Sequence, residues 1–435
     1  MMDSSRMSQR IVFAVWGSLG DLYPYLAVAH ALQARGHRPV IATTNFHRER
    51  VEAAGLEFAP LGPHLDADAT LMKNSMHLRR GPRFLLGDIV IPYSRQSFAE
   101  TMAAIEGADL LVTHPITYGA HLAAQKTGIR WASTTLAPAG FFSTHDRSAR
   151  RQDPTLAKLN VGPWLDRWLM LYARRETNRW AKPIHALRRE LAISSDTNPV
   201  MEGQFSPELT LAMFSPLFSK PQPDWPPNTV ITGFAFYEHP TALEERLLNF
   251  LADGEPPVVF TLGSAASMTP RAFFDESLKA VAQLRCRAVL IVGLYGPNQF
   301  SDGLPPNVAA FSYAPYEELF PRAAVNVQHG GIGTTAQALR SGRPMLVVPF
   351  AFDQPDNAAR TETMGVGRTV FIGEYKTRRV VRELDALLHD PAYADRARAA
   401  GEQVRGERGA EHACDELLKL LGQQPDSSGN ILTAR

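Results

Sequence analysis

Gln328-His329-Gly330-Gly331-Ile332-Gly333-Thr334-Thr335 is the stretch on which the reading of this chain turns. An apolar run, Ala323-Ala324-Val325-Asn326-Val327, leads into it, and residues 336–341 continue with helical character. A strand that enters a glycine-rich loop and then a helix is an arrangement for holding phosphate. Glycine lets the backbone come close to an anion, and the first N–H groups of a helix have no partners inside it. The positive end of the helix dipole favours negative charge at the same place. His329 adds a side-chain donor at the mouth of the loop. The stretch predicts a nucleotide or phosphorylated ligand in the second half of the chain.

The surrounding sequence repeats the strand–loop–helix rhythm. Residues 11–15 are continuously apolar, as a strand buried on both faces should be. A turn follows, Gly17-Ser18-Leu19-Gly20-Asp21, and Pro24 suits the first turn of a helix that Gly36 ends. Further strands are predicted at 39–43, 56–58, 110–112 and 131–133, with helices at 46–54 and 118–126. The rhythm restarts at 257–261, with a helix at 271–284 and strands at 288–292, 324–327 and 345–348. Alternation of this kind predicts an α/β chain with parallel, doubly wound sheets. Ser219-Lys220-Pro221-Gln222-Pro223-Asp224-Trp225-Pro226-Pro227-Asn228 carries four prolines in ten residues and reads as a stiff spacer. The expected domains are 9–218 and 229–405, separated by the linker 219–228, with a terminal helix within 406–422. Two such domains leave a cleft between the carboxyl ends of their sheets, where open α/β sheets bind ligands.

Bulk properties narrow the class. At 435 residues, two domains are the natural expectation. Lys plus Arg is 45 and Asp plus Glu is 44, so no bulk charge invites nucleic acid or an anionic membrane. Cys286 and Cys414 lie far apart and form no metal-ligand spacing. The polar start, residues 1–10, lacks the apolar core of a signal peptide, and no run of about 18 apolar residues suggests a membrane span. A cytoplasmic protein with reduced thiols is expected.

Several side chains join the loop. Phe352-Asp353-Gln354-Pro355-Asp356-Asn357-Ala358 follows the strand at 344–349, and an Asp-Gln pair there suits hydroxyl recognition. Tyr313-Ala314-Pro315 offers an aromatic face beside backbone, which suits a nucleobase. Gly263-Ser264 is a second small-residue loop at the same edge.

With these motifs in order, the chain resembles a GT-B glycosyltransferase of the large inverting family of plant and bacterial UDP-sugar transferases. The resemblance runs from Ile11 to about Leu420. It is carried by Tyr313-Ala314-Pro315, the His329–Thr335 loop, Gly342-Arg343-Pro344, Asp353-Gln354 and Asn357-Ala358, and by Gly17 to Pro24 and Arg35-Gly36-His37. The form His-Gly-Gly-Ile-Gly is similar to the bacterial branch that glycosylates antibiotics, lipids and sterols. The resemblance implies two Rossmann-like domains facing across a cleft and a nucleotide-sugar donor, UDP- or dTDP-linked. His329, Gly331, Gly333, Thr334 and Thr335 would hold the diphosphate, helped by Ser264. Tyr313 would stack on the base and Ala314 read its edge, while Asp353 and Gln354 would hold sugar hydroxyls. Gln337 stands where many UDP-sugar enzymes place a Glu on the ribose, which makes a dTDP-sugar a real alternative.

The acceptor hydroxyl needs a base, and Asp21 matches the family's catalytic position in the loop Gly17, Ser18, Gly20. Its structural alternative is a helix cap. His114 ends the fourth strand and is a candidate partner for Asp21, or a structural histidine before Pro115. Asp66-Ala67-Asp68 spells a metal-binding pattern but reads as a solvated turn; no metal and no other cofactor is expected. His47, His64, His77 and His145 read as surface or loop residues. Trp164, Leu165, Trp168, Leu169, Tyr172 and Trp180 lie at helical spacing among arginines. They read as a helix packing on its domain, with an acceptor wall or peripheral membrane contact as the sharper possibility. A small hydrophobic acceptor is expected, in a monomer or homodimer. A nucleotide-sugar epimerase and a non-catalytic binding partner are the competing functions.

Overall fold

The computed structural model describes residues 8–65, 74–146, 163–238, 241–263, 271–293, 300 and 303–422. The first sheet has seven parallel strands in the order β3-β2-β1-β4-β5-β6-β7. These are β1 (Arg10–Ala14), β2 (Arg38–Thr43), β3 (Glu57–Pro60), β4 (Leu110–Thr113), β5 (Arg130–Thr135), β6 (Leu209–Ala212) and β7 (Thr229–Ile231). The second has six, ordered β10-β9-β8-β11-β12-β13. They are β8 (Val258–Thr261), β9 (Ala288–Ile291), β10 (Val308–Phe311), β11 (Val325–Gln328), β12 (Met345–Val347) and β13 (Gly367–Thr369).

The apolar runs form the strands because both sheet faces are covered by helices. In the first sheet Val12 lies between Val40 and Leu111, and all three are buried. Strand order reverses between β1 and β4 in the first sheet, and between β8 and β11 in the second. A parallel sheet opens a crevice at its carboxyl edge where its order reverses. The Gly17–Asp21 turn leaves β1 and His114 leaves β4. Gly263 leaves β8 and His329 leaves β11. The Asp21–His114 and Gly263–His329 groups therefore fall on the reversal points, while Tyr313 and Asp353–Gln354 follow β10 and β12.

Three expectations change. The helix expected near Pro24 begins at Leu19 and runs to Ala34, with Pro24 inside it. Ser18 and Asp21 nucleate the earlier start, and Pro24 removes only the N–H that would bond the Gly20 carbonyl. The boundary at 219–228 falls one strand too early, because β7 pairs with β6 in the first sheet. The chain crosses between the sheets after Ile231. The proline-rich segment is not a free spacer either, since Trp225 is buried and stacks on Phe141 with ring centroids 4.1 Å apart.

The last helix, Gly409–Leu420, returns to the first domain. Ala413, Cys414, Leu417 and Leu418 join the core that contains Leu22 and Leu26. Arg35 and Asp415 pair at 2.5 Å along the same contact. Among the described residues no helix is long and apolar enough to cross a membrane. Leu417 is fully buried, so Leu417→Ala is expected to cost about 2–5 kcal/mol, seen as an earlier urea-unfolding transition of the amino-terminal domain.

Candidate active site

The first wall of the cleft is built from β1, β4 and the turn after β1. Gly17 has φ +145°, and a side chain there would run into the Asp21 carboxylate. Ser18 caps the helix, and both its N–H (2.7 Å) and its hydroxyl (2.9 Å) donate to Asp21 Oδ2. His47 is buried rather than at the surface, and its Nε2 lies 3.0 Å from the Gly17 carbonyl, steadying the turn. Asp21 thus serves as a cap residue, yet its Oδ1 remains and faces His114 Nε2 at 3.4 Å. His114 Nδ1 faces the Ile116 N–H at 3.5 Å. With Nδ1 accepting, the ring proton belongs on Nε2, aimed at the carboxylate. The His114 carbonyl is held by the Thr117 hydroxyl at 2.7 Å, and His121 Nε2 lies 3.2 Å from it. His114 is 5% exposed, whereas 31% of the Asp21 side chain is open to the cleft. Burial pushes the Asp21 carboxyl up, but the His114 hydrogen bond and charge, with Ser18, outweigh it and hold Asp21 below its usual range.

The second wall is the loop after β11. Buried Gln328 staples it: its Oε1 accepts from the Gly330 N–H at 2.5 Å, and its Nε2 donates to the Thr335 hydroxyl at 3.1 Å. The helix Ile332–Ser341 starts from Gly331. The Thr335 N–H already donates to the Gly331 carbonyl at 2.9 Å. The Thr335 N–H is therefore spent on the loop, while its hydroxyl accepts from Gln328 and keeps its own O–H to donate; the N–H groups of Ile332, Gly333 and Thr334 have no partner inside the helix and are open to an anion. The His329 ring fits between Gly263 and Gly331, where any Cβ would collide with it. Burial lowers His329 to about 4, so the ring is neutral. Its Nδ1 is buried without a partner among the described residues, as is Gln337 Oε1 on the following turn.

Asp353 and Gln354 begin the helix Gln354–Thr363. Gln354 Oε1 is committed to the N–H groups of Phe350 (2.8 Å) and Ala351 (3.2 Å), and one amide N–H reaches the Met76 sulfur at 4.0 Å, which leaves the other N–H of the amide. Asn357 donates to Asp353 Oδ2 at 2.7 Å and to the Gly330 carbonyl at 2.8 Å, tying this helix to the glycine loop. Phe352, just before the pair, holds a left-handed φ of +59° without being glycine, the kind of strain that accumulates at functional loops. Tyr313 and Ala314 follow β10. Tyr313 is half-buried, and burial raises its phenol above the ordinary range, with Tyr23 of the opposite domain adding to the rise.

The walls meet. A Cβ on Gly333 would lie 3.2 Å from Gly20 Cα. Asp21, Gly20, Gly333 and Asp353 are therefore brought together, along with His114, His329 and Gln354. Ser264, Asp66 and Asp68 lie outside the described residues. Among the described residues no group of three or more His, Cys, Asp or Glu is placed to hold a metal ion. Sequence reasoning missed the supports, Gln328 and His47, and gave Asn357 no role. The aromatic stripe also differs from its expected packing. In the helix Pro163–Trp180, Trp164 is 67% and Trp168 56% exposed, and Trp168 stacks on Tyr172 outside the core.

Residues 11–91 match the glycosyltransferase family 28 N-terminal domain, and residues 278–422 match the erythromycin biosynthesis protein CIII-like C-terminal domain. The chain is 33% identical over 419 residues to O-mycaminosyltylonolide 6-deoxyallosyltransferase of Streptomyces fradiae, covering 93% of this chain and 96% of that protein. The chain belongs to this glycosyltransferase family. The glycosyltransferase is also 29% identical to a sterol 3-beta-glucosyltransferase of Arabidopsis thaliana, over 97% of this chain and 67% of that one. It spans only 28% of the length of the related sterol 3-beta-glucosyltransferase of Neurospora crassa. Its fold is GT-B. The calicheamicin glycosyltransferase CalG4 superposes with a TM-score of 0.71 at 20% identity, over 96% of this chain and 99% of that one. The glycosyltransferase VinC, solved in complex with dTDP, gives 0.66 at 20% identity, over 95% and 100%. The epimerase and the non-catalytic partner give way to a transferase.

The two carboxylates of the transferase's cleft differ. Burial raises Asp353 to about 7 against its ordinary 3.8; the Asn357 hydrogen bond offsets part of this, and the Asp21 charge adds to the rise. A raised folded-state value means the folded chain holds the extra proton between about pH 4 and 7. Stability from this group is therefore present at low pH and is lost as pH rises through that window. Asp353→Asn removes the dependence. The melting temperature of the variant minus that of the parent is expected to rise from pH 5 to pH 8, read by calorimetry in matched buffers.

Proposed function

We propose that the enzyme transfers a sugar from a nucleoside-diphosphate donor to a hydroxyl of a small hydrophobic acceptor, with inversion, using Asp21 as general base. The observation that carries this reading is the Asp21–His114 pair at 3.4 Å, placed on the wall opposite the glycine loop. His114 is buried and spends its Nε2 on Asp21, so the cleft-facing group is the carboxylate. Held below the usual carboxylate range by His114 and Ser18, Asp21 stays ionised at working pH. The acceptor O–H gives its proton to Asp21, and its oxygen attacks the anomeric carbon. The bond from that carbon to the diphosphate oxygen breaks, and the nucleoside diphosphate leaves with the electron pair. The N–H groups of Ile332, Gly333 and Thr334 and the neutral His329 take up the growing charge. Helix-end and histidine donors fill the role a metal ion has in other transferases, so turnover is expected to persist in excess chelator.

Asp353 and the Gln354 amide would read the sugar, Tyr313 would stack on the base, and Gln337 would meet the ribose. A neutral amide at Gln337 favours a dTDP-linked donor over a UDP-linked one. The dTDP complex of the structural relative VinC is in keeping with that choice. An apolar acceptor is supported by Met76, whose sulfur lies 4.0 Å from Gln354 Nε2. The relatives named as an O-mycaminosyltylonolide 6-deoxyallosyltransferase and a sterol 3-beta-glucosyltransferase are in keeping with such an acceptor.

Asp21→Asn should bind dTDP as the parent does while kcat falls on the order of 10²–10⁴-fold. His114→Ala, which frees the carboxylate to rotate, should lose on the order of 10²-fold. Parent-like turnover in Asp21→Asn would remove the base. Calorimetric titration with dTDP and UDP decides the donor: tighter UDP binding would overturn the Gln337 reading.

A further inference from the structure

Arg360 lies near the far end of the helix whose first turn carries Asp353 and Gln354. It is 5% exposed and reaches out of its own domain. Its Nε donates to Asp356 Oδ2 at 2.7 Å, on the same helix. Its Nη1 donates to the Phe218 carbonyl at 2.6 Å and its Nη2 to Asp146 Oδ2 at 2.6 Å, both in the acceptor domain. Asp146 is itself anchored. The Ser219 hydroxyl donates to the same oxygen at 3.1 Å. Residues 143 and 144 are tied to Asp224, by the Ser143 hydroxyl at 2.7 Å and the Thr144 N–H at 2.8 Å. The bridge therefore joins two built pieces, the sugar-reading helix and the acceptor-domain segment 143–146. Asp146, Phe218, Lys220, Arg360 and Met364 line a cavity of about 320 Å³ beside it, so the contact is not locked by dense packing.

A buried ion pair of this kind is a poor source of stability, because desolvation cancels most of the attraction, but it fixes geometry sharply. Arg360 also keeps a second carboxylate, Asp356, if Asp146 is lost. We infer that Arg360 is a positioning residue that sets the Asp353–Gln354 end of its helix against the acceptor domain, and so fixes the register of the sugar site on Asp21. This rests on the proposed sugar-reading role of Asp353 and Gln354. Arg360 touches neither donor nor acceptor; it acts through the helix and through the Gly20–Gly333 contact that the helix and loop maintain.

The test uses the full chain with Asp146→Asn, which keeps the shape and leaves Asp356 to neutralise Arg360, and with Arg360→Lys, which cannot make the three divergent bonds. Hydrogen exchange is followed with and without dTDP at two segments, 17–22 on the acceptor wall and 328–337 on the donor wall. In the parent, dTDP is expected to protect both. In both variants it should still protect 328–337, with dTDP affinity near that of the parent, while protection of 17–22 is lost. Turnover should fall on the order of 10²-fold, the loss expected from about 1 Å of misplacement, and Asp146→Glu should recover part of it. Parent-like protection of both walls in both variants would overturn the inference. So would exchange raised throughout the donor domain, which would mean a role in folding alone. If neither dTDP nor UDP binds the parent, the donor reading fails instead. The exchange of 17–22 without nucleotide, faster in the variants under this inference, then still decides the bridge.

Discussion

The approach of Gly20 to Gly333 sets the spacing on which the rest of the site depends. A single methyl group on Gly333 would lie 3.2 Å from the opposing backbone, tighter than most carbon contacts tolerate. Glycine in this loop is usually credited to the anion. Here Gly333 has a second reason to be small, because the acceptor domain occupies the space a side chain would need. The same contact explains why the Gly17–Asp21 turn is stiff. Ser18 holds Asp21, Asp21 blocks any side chain at Gly17, and His47 grips the Gly17 carbonyl. A loose turn could not keep a constant distance to a loop in another domain.

That spacing brings two carboxylates into one cleft and gives them opposite characters. Asp21 has two donors from Ser18 and a histidine, and is held below its usual range. Asp353 has the Asn357 amide against its burial, and is pushed up to about 7. Near neutral pH one is a committed anion and the other exchanges its proton freely. An anion suits a group that must accept a proton. A carboxyl able to present either O–H or a lone pair suits a group that must satisfy sugar hydroxyls. Environment has given the two carboxylates opposite characters, as the proposed roles would need, and the Asp21 charge disfavours ionisation of Asp353.

Much of this was legible because it is local. Strand–glycine–helix signals are carried by neighbouring residues, so the His329 loop and the Asp353-Gln354 pair could be placed from the local pattern, while Asp21 read locally as a helix cap and became a candidate base only through the family resemblance. The helix start was misplaced because Pro24 is a loud signal and a Ser18–Asp21 capping pair is a quiet one. β7 was missed because three residues after a proline run give no periodicity to read. His47 is buried by a carbonyl thirty positions away, and Arg360 by an aspartate more than two hundred away. No local pattern encodes such partners. The exposed Trp164 and Trp168 show the converse limit, since helical spacing of aromatics does not reveal which side of the helix meets the core.

Burial also decides how the donor wall can act. A protonated His329 would bind the diphosphate strongly before and after transfer alike, which adds affinity without rate. Held at about 4 by its burial between two glycines, the ring stays neutral and offers one fixed N–H dipole. The helix-end N–H groups are likewise fixed dipoles with no net charge. Such donors interact with a neutral or shared charge modestly and with a concentrated one strongly, and they need no reorganisation as the charge develops. Charge concentrates on the diphosphate oxygen only as the bond to the anomeric carbon breaks. Under the proposed transfer, a wall made of neutral, preorganised donors would therefore favour the departing diphosphate over the intact donor. The close approach of Gly263 and Gly331, where a Cβ would collide with the ring, is part of the burial that keeps it so.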